Sequence, residues 1–127
     1  MQVLLVDDNP LMQQVISRFL MSQGYSVTVV ESGEEALAAV RREPCRLFVI
    51  DMRLPDLDGP ELLATLRGQP GLGACPAIAV SGLGEEDRER TVVAGFDGFL
   101  AKPIDLDELL ATVRRYAGDA VARTISI

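Results

Sequence analysis

Five short apolar runs alternate with longer segments of helical spacing, and this alternation limits the folds open to the chain more than any other feature. The runs are rich in β-branched residues, which is typical of strands buried on both faces of a parallel sheet. Strands that alternate with helices predict βαβ units. We expect strands at Val3 to Val6, Ser26 to Val30, Leu47 to Ile50, Ala77 to Ser81 and Gly98 to Ala101, and helices at Pro10 to Ser22, Gly33 to Arg42, Pro60 to Arg67, Glu85 to Ala94 and Leu106 to Tyr116.

One domain accounts for nearly all of the sequence. With 127 residues, 48% of them hydrophobic, the chain can bury a core without a disulfide. We assign residues 1–118 to this domain and residues 119–127 to a short tail or the start of a linker. Asn9 and Asp105 stand where they would cap the helices that follow them.

Charge and composition argue against several functional classes. The 12 Lys and Arg residues against 19 Asp and Glu residues leave a net charge of −7, which disfavours direct nucleic-acid binding. No signal peptide precedes Asp7, and no apolar run approaches the roughly 20 residues of a membrane span. We therefore expect no membrane insertion and a cytoplasmic location. Because histidine is absent, any imidazole or phosphohistidine must come from a partner.

Polar residues end or follow four of the predicted strands at one edge of the sheet. Ligands of parallel α/β sheets bind outside the carboxyl ends of the strands. Alone, each residue is an ordinary cap, turn residue or solvated charge. Together they combine an oxygen cluster suited to Mg²⁺ with a nucleophilic carboxylate, a hydroxyl and a cation, which predicts a phosphoryl-transfer centre. They are Asp7 and Asp8 after the first strand, Asp51 after the third, Ser81 ending the fourth and Lys102 after the fifth.

Four segments of the chain resemble the receiver domains of bacterial response regulators in two-component signalling. They read VLLVDDN at 3–9, LFVIDMRLPDLDG at 47–59, AIAVSG at 77–82 and GFDGFLAKPID at 95–105. The resemblance implies a single flavodoxin-like (βα)5 three-layer sandwich, with a five-stranded parallel sheet of order 2-1-3-4-5.

The resemblance also implies a role for each site residue. Asp51 would be the phosphoacceptor, and Mg²⁺ or Mn²⁺ would be held by Asp7, Asp8, Asp51 and the backbone carbonyl of Arg53. Lys102 would pair with one phosphoryl oxygen, and Ser81 would donate a hydrogen bond to another. A sensor histidine kinase or a histidine phosphotransfer domain would supply the phosphoryl group. We expect no enzymatic activity beyond self-catalysed acceptance of the phosphoryl group and slow self-dephosphorylation.

The resemblance also implies a conformational switch. Phe99 matches the aromatic residue that reorients when Ser81 moves towards the phosphoryl group, and Lys102–Pro103 matches a peptide bond that similar proteins hold in cis. A downstream effector or a second copy would bind the face built by the fourth helix, fifth strand and fifth helix. The charged run at 85–90, which opens the fourth helix, is interpreted as a solvated face. The chain is either a stand-alone regulator or the receiver of a hybrid sensor histidine kinase.

Three alternatives stay open at this point. A haloacid-dehalogenase-like phosphatase uses similar residues, but its nucleophile belongs to a DxD motif after the first strand, where this chain has Asp7, Asp8 and Asn9. A flavodoxin-type FMN carrier needs a phosphate-cradling loop there, and two acids would repel the phosphate. A phosphorylation-independent interaction module would not require all five signature positions.

Arg53 and Leu83 are predicted to tune the lifetime of the phosphorylated form, because the resemblance places them beside the route of the attacking water. Leu83 is apolar and cannot orient water, so we expect slow self-dephosphorylation. Leu83→Glu should change the decay rate, followed by intact mass over time. An unchanged rate would contradict this role.

Overall fold

The structure is a computed structural model that describes residues 1–120. All five strands are parallel and lie in the order β2-β1-β3-β4-β5, which confirms the flavodoxin-like (βα)5 fold expected from the sequence. The elements are β1 (Val3–Val6), α1 (Pro10–Ser22), β2 (Val27–Val30), α2 (Gly33–Arg42), β3 (Leu47–Asp51), α3 (Gly59–Arg67), β4 (Ala77–Ser81), α4 (Glu85–Ala94), β5 (Gly98–Ala101) and α5 (Leu106–Ala117).

Each face of the sheet has its own hydrophobic core. Because side chains alternate along a strand, Leu4 and Val6 of β1 join one core while Val3 and Leu5 join the other. Residues of α2 and α3 cover the first core, with Ala94 of α4 packed against it, and residues of α1 and α5 cover the second. With both faces covered, polar chemistry is confined to the ends of the strands.

Side chains cap four of the helices in the described part of the chain. Each capping residue accepts hydrogen bonds from one or two backbone N–H groups in the first turn, which satisfies donors that a helix start leaves free. α4 differs, because it begins after Gly84 with no side-chain cap among residues 1–120. The capping residues are Asn9, Ser32, Asp58 and Asp105.

Two strand boundaries differ by one residue from the expectation. β2 begins at Val27 rather than Ser26, whose N–H donates to the Gln2 side chain although its carbonyl still accepts from the Val3 N–H of β1. β3 extends to Asp51, whose backbone is in register with Val80 of β4. The second difference matters for the site, since it makes Asp51 part of the sheet.

The chain after α5 stays against the body of the domain for a short distance. α5 ends at Ala117, one residue later than expected, and the Gly118 carbonyl accepts a hydrogen bond of 2.7 Å from the Tyr25 hydroxyl. Ala120 is buried. Of the tail proposed for residues 119–127, residues 121–127 lie outside the described residues. No helix within residues 1–120 has the length and apolar character needed to cross a membrane.

Gly59 opens α3, one residue earlier than expected, and lies against the end of β3. Its N–H donates to the Met52 carbonyl at 2.9 Å. A Cβ on Gly59 would lie 3.1 Å from the Met52 Cα and 3.3 Å from the Asp51 carbonyl oxygen, which is too close for a relaxed contact with backbone. The absence of a side chain therefore lets α3 begin directly beside the candidate acceptor.

Gly59→Ala should lower the free energy of unfolding by about 1 to 2 kcal/mol, because the added methyl group must displace backbone. Urea denaturation measures the change. Gly73→Ala is the matched control, since its Cβ would approach nothing nearer than the Arg67 carbonyl oxygen at 3.7 Å. Equal losses in both variants would contradict the close-approach argument.

Candidate functional site

The carboxyl ends of four parallel strands bring the predicted site residues to one edge of the sheet. Asp7 follows β1 directly, Asp51 ends β3, Ser81 ends β4 and Lys102 follows β5. Backbone hydrogen bonds carry the sheet past these ends: Asp7 N–H donates to the Val30 carbonyl at 3.1 Å, and Lys102 N–H donates to the Ser81 carbonyl at 2.8 Å. The site residues therefore start from fixed backbone positions.

Three carboxylates form an acidic cluster at this edge. One carboxylate oxygen from each of Asp7, Asp8 and Asp51 lies within 4.8 Å of the other two, and this spacing could hold a metal ion. Asp7 and Asp51 are buried, whereas Asp8 is exposed. Burial raises the pKa of Asp7, the hydrogen bond from the Asn9 N–H at 2.8 Å opposes that rise, and the charge of Asp51 adds to it. The oxygen ligands and their mutual repulsion suit a hard divalent cation.

Asp51 is held from both of its carboxylate oxygens. Oδ1 accepts a hydrogen bond of 3.1 Å from the Arg53 backbone N–H, and Oδ2 lies 3.3 Å from the Lys102 ammonium. The peptide bond between Lys102 and Pro103 is cis. The acceptor candidate thus lies between a fixed cation and two further acids.

The Ser81 hydroxyl is buried, and its hydrogen-bond acceptor is Asp87. It donates a hydrogen bond to Oδ2 of Asp87, and its oxygen accepts one of 3.0 Å from the Leu83 N–H. The sequence predicted Ser81 as a member of the site, and its backbone lies at the end of β4 beside the other site residues. Its hydroxyl, however, is hydrogen-bonded to Asp87, which the sequence analysis did not include in the site.

Asp87 is fully buried in the first turn of α4, although the charged run around it was interpreted as a solvated face. That interpretation was wrong for this residue. Both terminal guanidinium nitrogens of Arg53 contact it, at 2.5 and 3.1 Å, and a guanidinium nitrogen of Arg90 lies 3.4 Å away. The hydrogen bond from Arg53 holds the pKa of Asp87 below its ordinary value and raises the pKa of Arg53. Burial of the charge is offset by two cations and a hydroxyl.

The remaining predicted residues lie around this centre. Phe99 is half-buried on β5, and the guanidinium carbon of Arg88 lies 4.7 Å from its ring centroid, within cation–π range. Leu83 is exposed in the loop between β4 and α4. The Arg53 side chain, paired with Asp87, is half exposed.

Comparison with known proteins agrees with the fold. The sequence model of the response regulator receiver domain matches residues 3–114. The chain belongs to this family. Neither the phosphatase nor the FMN carrier is favoured by this family membership.

Relatives of this receiver domain include regulators of different lengths. It is 31% identical to the polar-differentiation response regulator DivK of Brucella ovis over 93% of this chain and 97% of DivK. It is 36% identical to the transcriptional regulatory protein GlrR of Escherichia coli over 87% of this chain, but spans only 25% of GlrR. Among solved structures it resembles the receiver domain of the sensor histidine kinase PA1611 of Pseudomonas aeruginosa, with 37% identity, a TM-score of 0.84 and coverage of 92% and 97%. That structure has a magnesium ion coordinated in its active-site cleft.

The contact of Asp87 with the site was missed by sequence reasoning. Helical spacing held the signal, because Asp87, Thr91 and Ala94 lie at positions i, i+4 and i+7 and share one face of α4. This stripe is the inward face of α4, and as such it predicts that Asp87 points towards the sheet. The density of charges around it in the sequence obscured the pattern.

Asp7→Asn should raise the free energy of unfolding of the metal-free protein by about 1 kcal/mol, because it removes a buried charge while the amide oxygen can still accept from Asn9. The folded pKa of Asp7 lies above its ordinary value of 3.8, so the destabilisation is absent below that value. It grows as the pH rises and is complete above the raised pKa. Denaturation at several pH values without metal measures it.

Asp8→Asn is the matched control, since Asp8 is exposed and its replacement should change the metal-free stability less. Millimolar Mg²⁺ should raise the Tm of the native protein and not that of Asp7→Asn. Equal stabilisation by both substitutions would contradict the burial argument.

Proposed function

We propose that this receiver domain accepts a phosphoryl group on Asp51 and changes conformation in response. The observation that carries the proposal is the position of the Asp51 carboxylate, buried at the end of β3 between the Lys102 ammonium and the acids Asp7 and Asp8. A buried carboxylate beside a cation and a metal-binding cluster has what aspartyl phosphorylation needs.

In the proposed reaction an Asp51 oxygen attacks phosphorus in line. A P–O bond forms as the P–N bond to the partner's phosphohistidine breaks, and the imidazole leaves with the electron pair of the broken bond. The Lys102 ammonium, 3.3 Å from Asp51, would then pair with a phosphoryl oxygen. The Ser81 hydroxyl would donate to another. The phosphohistidine must belong to another domain or another protein, because these 127 residues contain no histidine.

Mg²⁺, or Mn²⁺ in its place, is the proposed cofactor. The carboxylates of Asp7, Asp8 and Asp51 fit this ion because they supply hard oxygen ligands at a common point, and the Arg53 carbonyl is proposed as a further ligand. When bound, the ion would offset negative charge on the transferring oxygens. The magnesium ion in the PA1611 receiver supports this assignment by similarity.

The proposed partners are a sensor histidine kinase or a histidine phosphotransfer domain upstream, and an effector or a second copy of the domain downstream. The α4-β5-α5 face is proposed for the downstream contact. Val92 of α4 is 70% exposed, and Phe99 lies half-buried under Arg88 on the same side. Movement of Phe99 would change this surface.

The setting of the domain in the cell is also a proposal. Residues 1–118 form the receiver unit, with the residues after it a tail or the start of a linker, in a stand-alone regulator or a hybrid sensor kinase. Its similarity to nearly the whole of DivK supports the first setting, and its similarity to the receiver domain of the sensor histidine kinase PA1611 supports the second. We propose a cytoplasmic location and slow self-dephosphorylation, since Leu83 is apolar and the Arg53 side chain is occupied by Asp87.

Acetyl phosphate or phosphoramidate with Mg²⁺ should increase the intact mass of the protein by one phosphoryl group. Asp51→Asn should abolish the gain, because the amide is not a competent nucleophile. Asp107→Asn is the matched control on an exposed acid of α5 and should be phosphorylated normally. A mass gain that survives Asp51→Asn would overturn the proposal.

A further inference from the structure

The Ser81 hydroxyl can donate only one hydrogen bond, and Asp87 accepts it. An ionised carboxylate can only accept hydrogen bonds, so the contact between Ser81 Oγ and Asp87 Oδ2 must use the hydroxyl proton. The hydroxyl oxygen is meanwhile fixed by the Leu83 N–H at 3.0 Å. Ser81 can therefore donate to a phosphoryl oxygen on Asp51 only by leaving Asp87.

Asp87 is a strong acceptor for the Ser81 hydroxyl, and its carboxylate is held in place by other residues. It is fully buried, and Arg53 holds it with two guanidinium contacts of 2.5 and 3.1 Å. Arg90 adds a third contact at 3.4 Å and reaches Asp58, the N-cap of α3, at 2.9 Å. Charge-assisted hydrogen bonds of this kind are roughly twice as strong as neutral ones.

The contacts of Asp87 with Arg53 and Ser81, together with that of Arg90 with Asp58, attach α4 to the rest of the domain. Its buried residues are both polar, Asp87 and Thr91, whereas α1, α2, α3 and α5 each bury apolar side chains. Gly84, at the capping position before α4, provides no side-chain cap within residues 1–120. The first turn of α4 thus depends on Asp87 for its connection to β4 and to the loop after β3.

We propose that Asp87 is a positioning residue that retains the Ser81 hydroxyl in the unphosphorylated protein. A phosphoryl group on Asp51 competes with Asp87 for this hydroxyl. Transfer of the hydrogen bond removes one of the attachments of α4 while Arg53 and Arg90 keep their partner. The inference rests on the proposed roles of Asp51 and Ser81, and adds the group that opposes the switch.

The affinity for a beryllofluoride phosphoryl mimic, measured by calorimetry at saturating Mg²⁺, tests the inference. Asp87→Ala should bind the mimic about tenfold more tightly than the native protein, because Ser81 no longer gives up a hydrogen bond to reach it; tenfold corresponds to about 1.4 kcal/mol. Asp87→Asn should tighten binding in the same direction but by less, since a neutral amide oxygen is a weaker acceptor. Glu89→Ala removes the same charge from an exposed position of α4 and should leave the affinity unchanged.

The same substitutions in a Ser81→Ala background separate retention of the hydroxyl from general effects of Asp87. Without the hydroxyl there is nothing to retain, so Asp87→Ala should not alter the affinity in that background. An equal tightening in both backgrounds would identify simple charge repulsion and overturn the inference, as would weaker binding in the Asp87 variants. Circular dichroism shows whether Asp87→Ala folds. If it does not, the same comparison of affinities is made with Asp87→Asn.

The test also distinguishes this inference from the proposed function. If the native protein binds no beryllofluoride with Mg²⁺, or Asp51→Asn binds it equally well, the proposed acceptor site fails. If the native protein binds and Asp51→Asn does not, an unchanged affinity in Asp87→Ala overturns the retaining role of Asp87 alone.

Discussion

The in-register pairing of the parallel strands is the constraint on which the rest of this structure depends. Because β1, β3, β4 and β5 run the same way, the residues that end or follow them meet at one edge. Backbone hydrogen bonds continue past the strand ends, so the side chains of Asp7, Asp51 and Lys102 leave rigid positions. The two apolar cores hold this frame from either side. The functional side chains are thus positioned by strands whose own residues are almost entirely apolar.

The site works against the stability of the domain that carries it. Like charges of Asp7, Asp8 and Asp51 are gathered at one point, and burial makes the charge of Asp7 costly. Lys102 offsets part of the repulsion at Asp51, and a divalent cation would offset more. The surrounding cores tolerate this local cost, as is common where function requires an unfavourable arrangement.

α4 is attached differently from the other helices. Apolar burial stabilises α1, α2, α3 and α5, whereas α4 buries Asp87 and Thr91 and leaves two valines exposed. Segments with little apolar burial open at lower free energy than the core of a domain. Polar contacts can also exchange partners without a change in packing. The helix nearest the Ser81 hydroxyl is therefore the one whose attachments a new charge at Asp51 can alter.

The sequence by itself determined the fold and the membership of the acidic cluster. Apolar runs that alternate with helical segments predicted a buried parallel sheet, and the site positions of Asp7, Asp51 and Lys102 follow from their places at strand ends. Strand and helix limits were predicted to within one residue. The partner of the Ser81 hydroxyl was decided only by the tertiary structure. Arg53 lies 34 residues from Asp87, and no local pattern joins them. Whether a charge is solvated or buried depends on what packs over it, and that is settled when α4 docks beside the loop after β3.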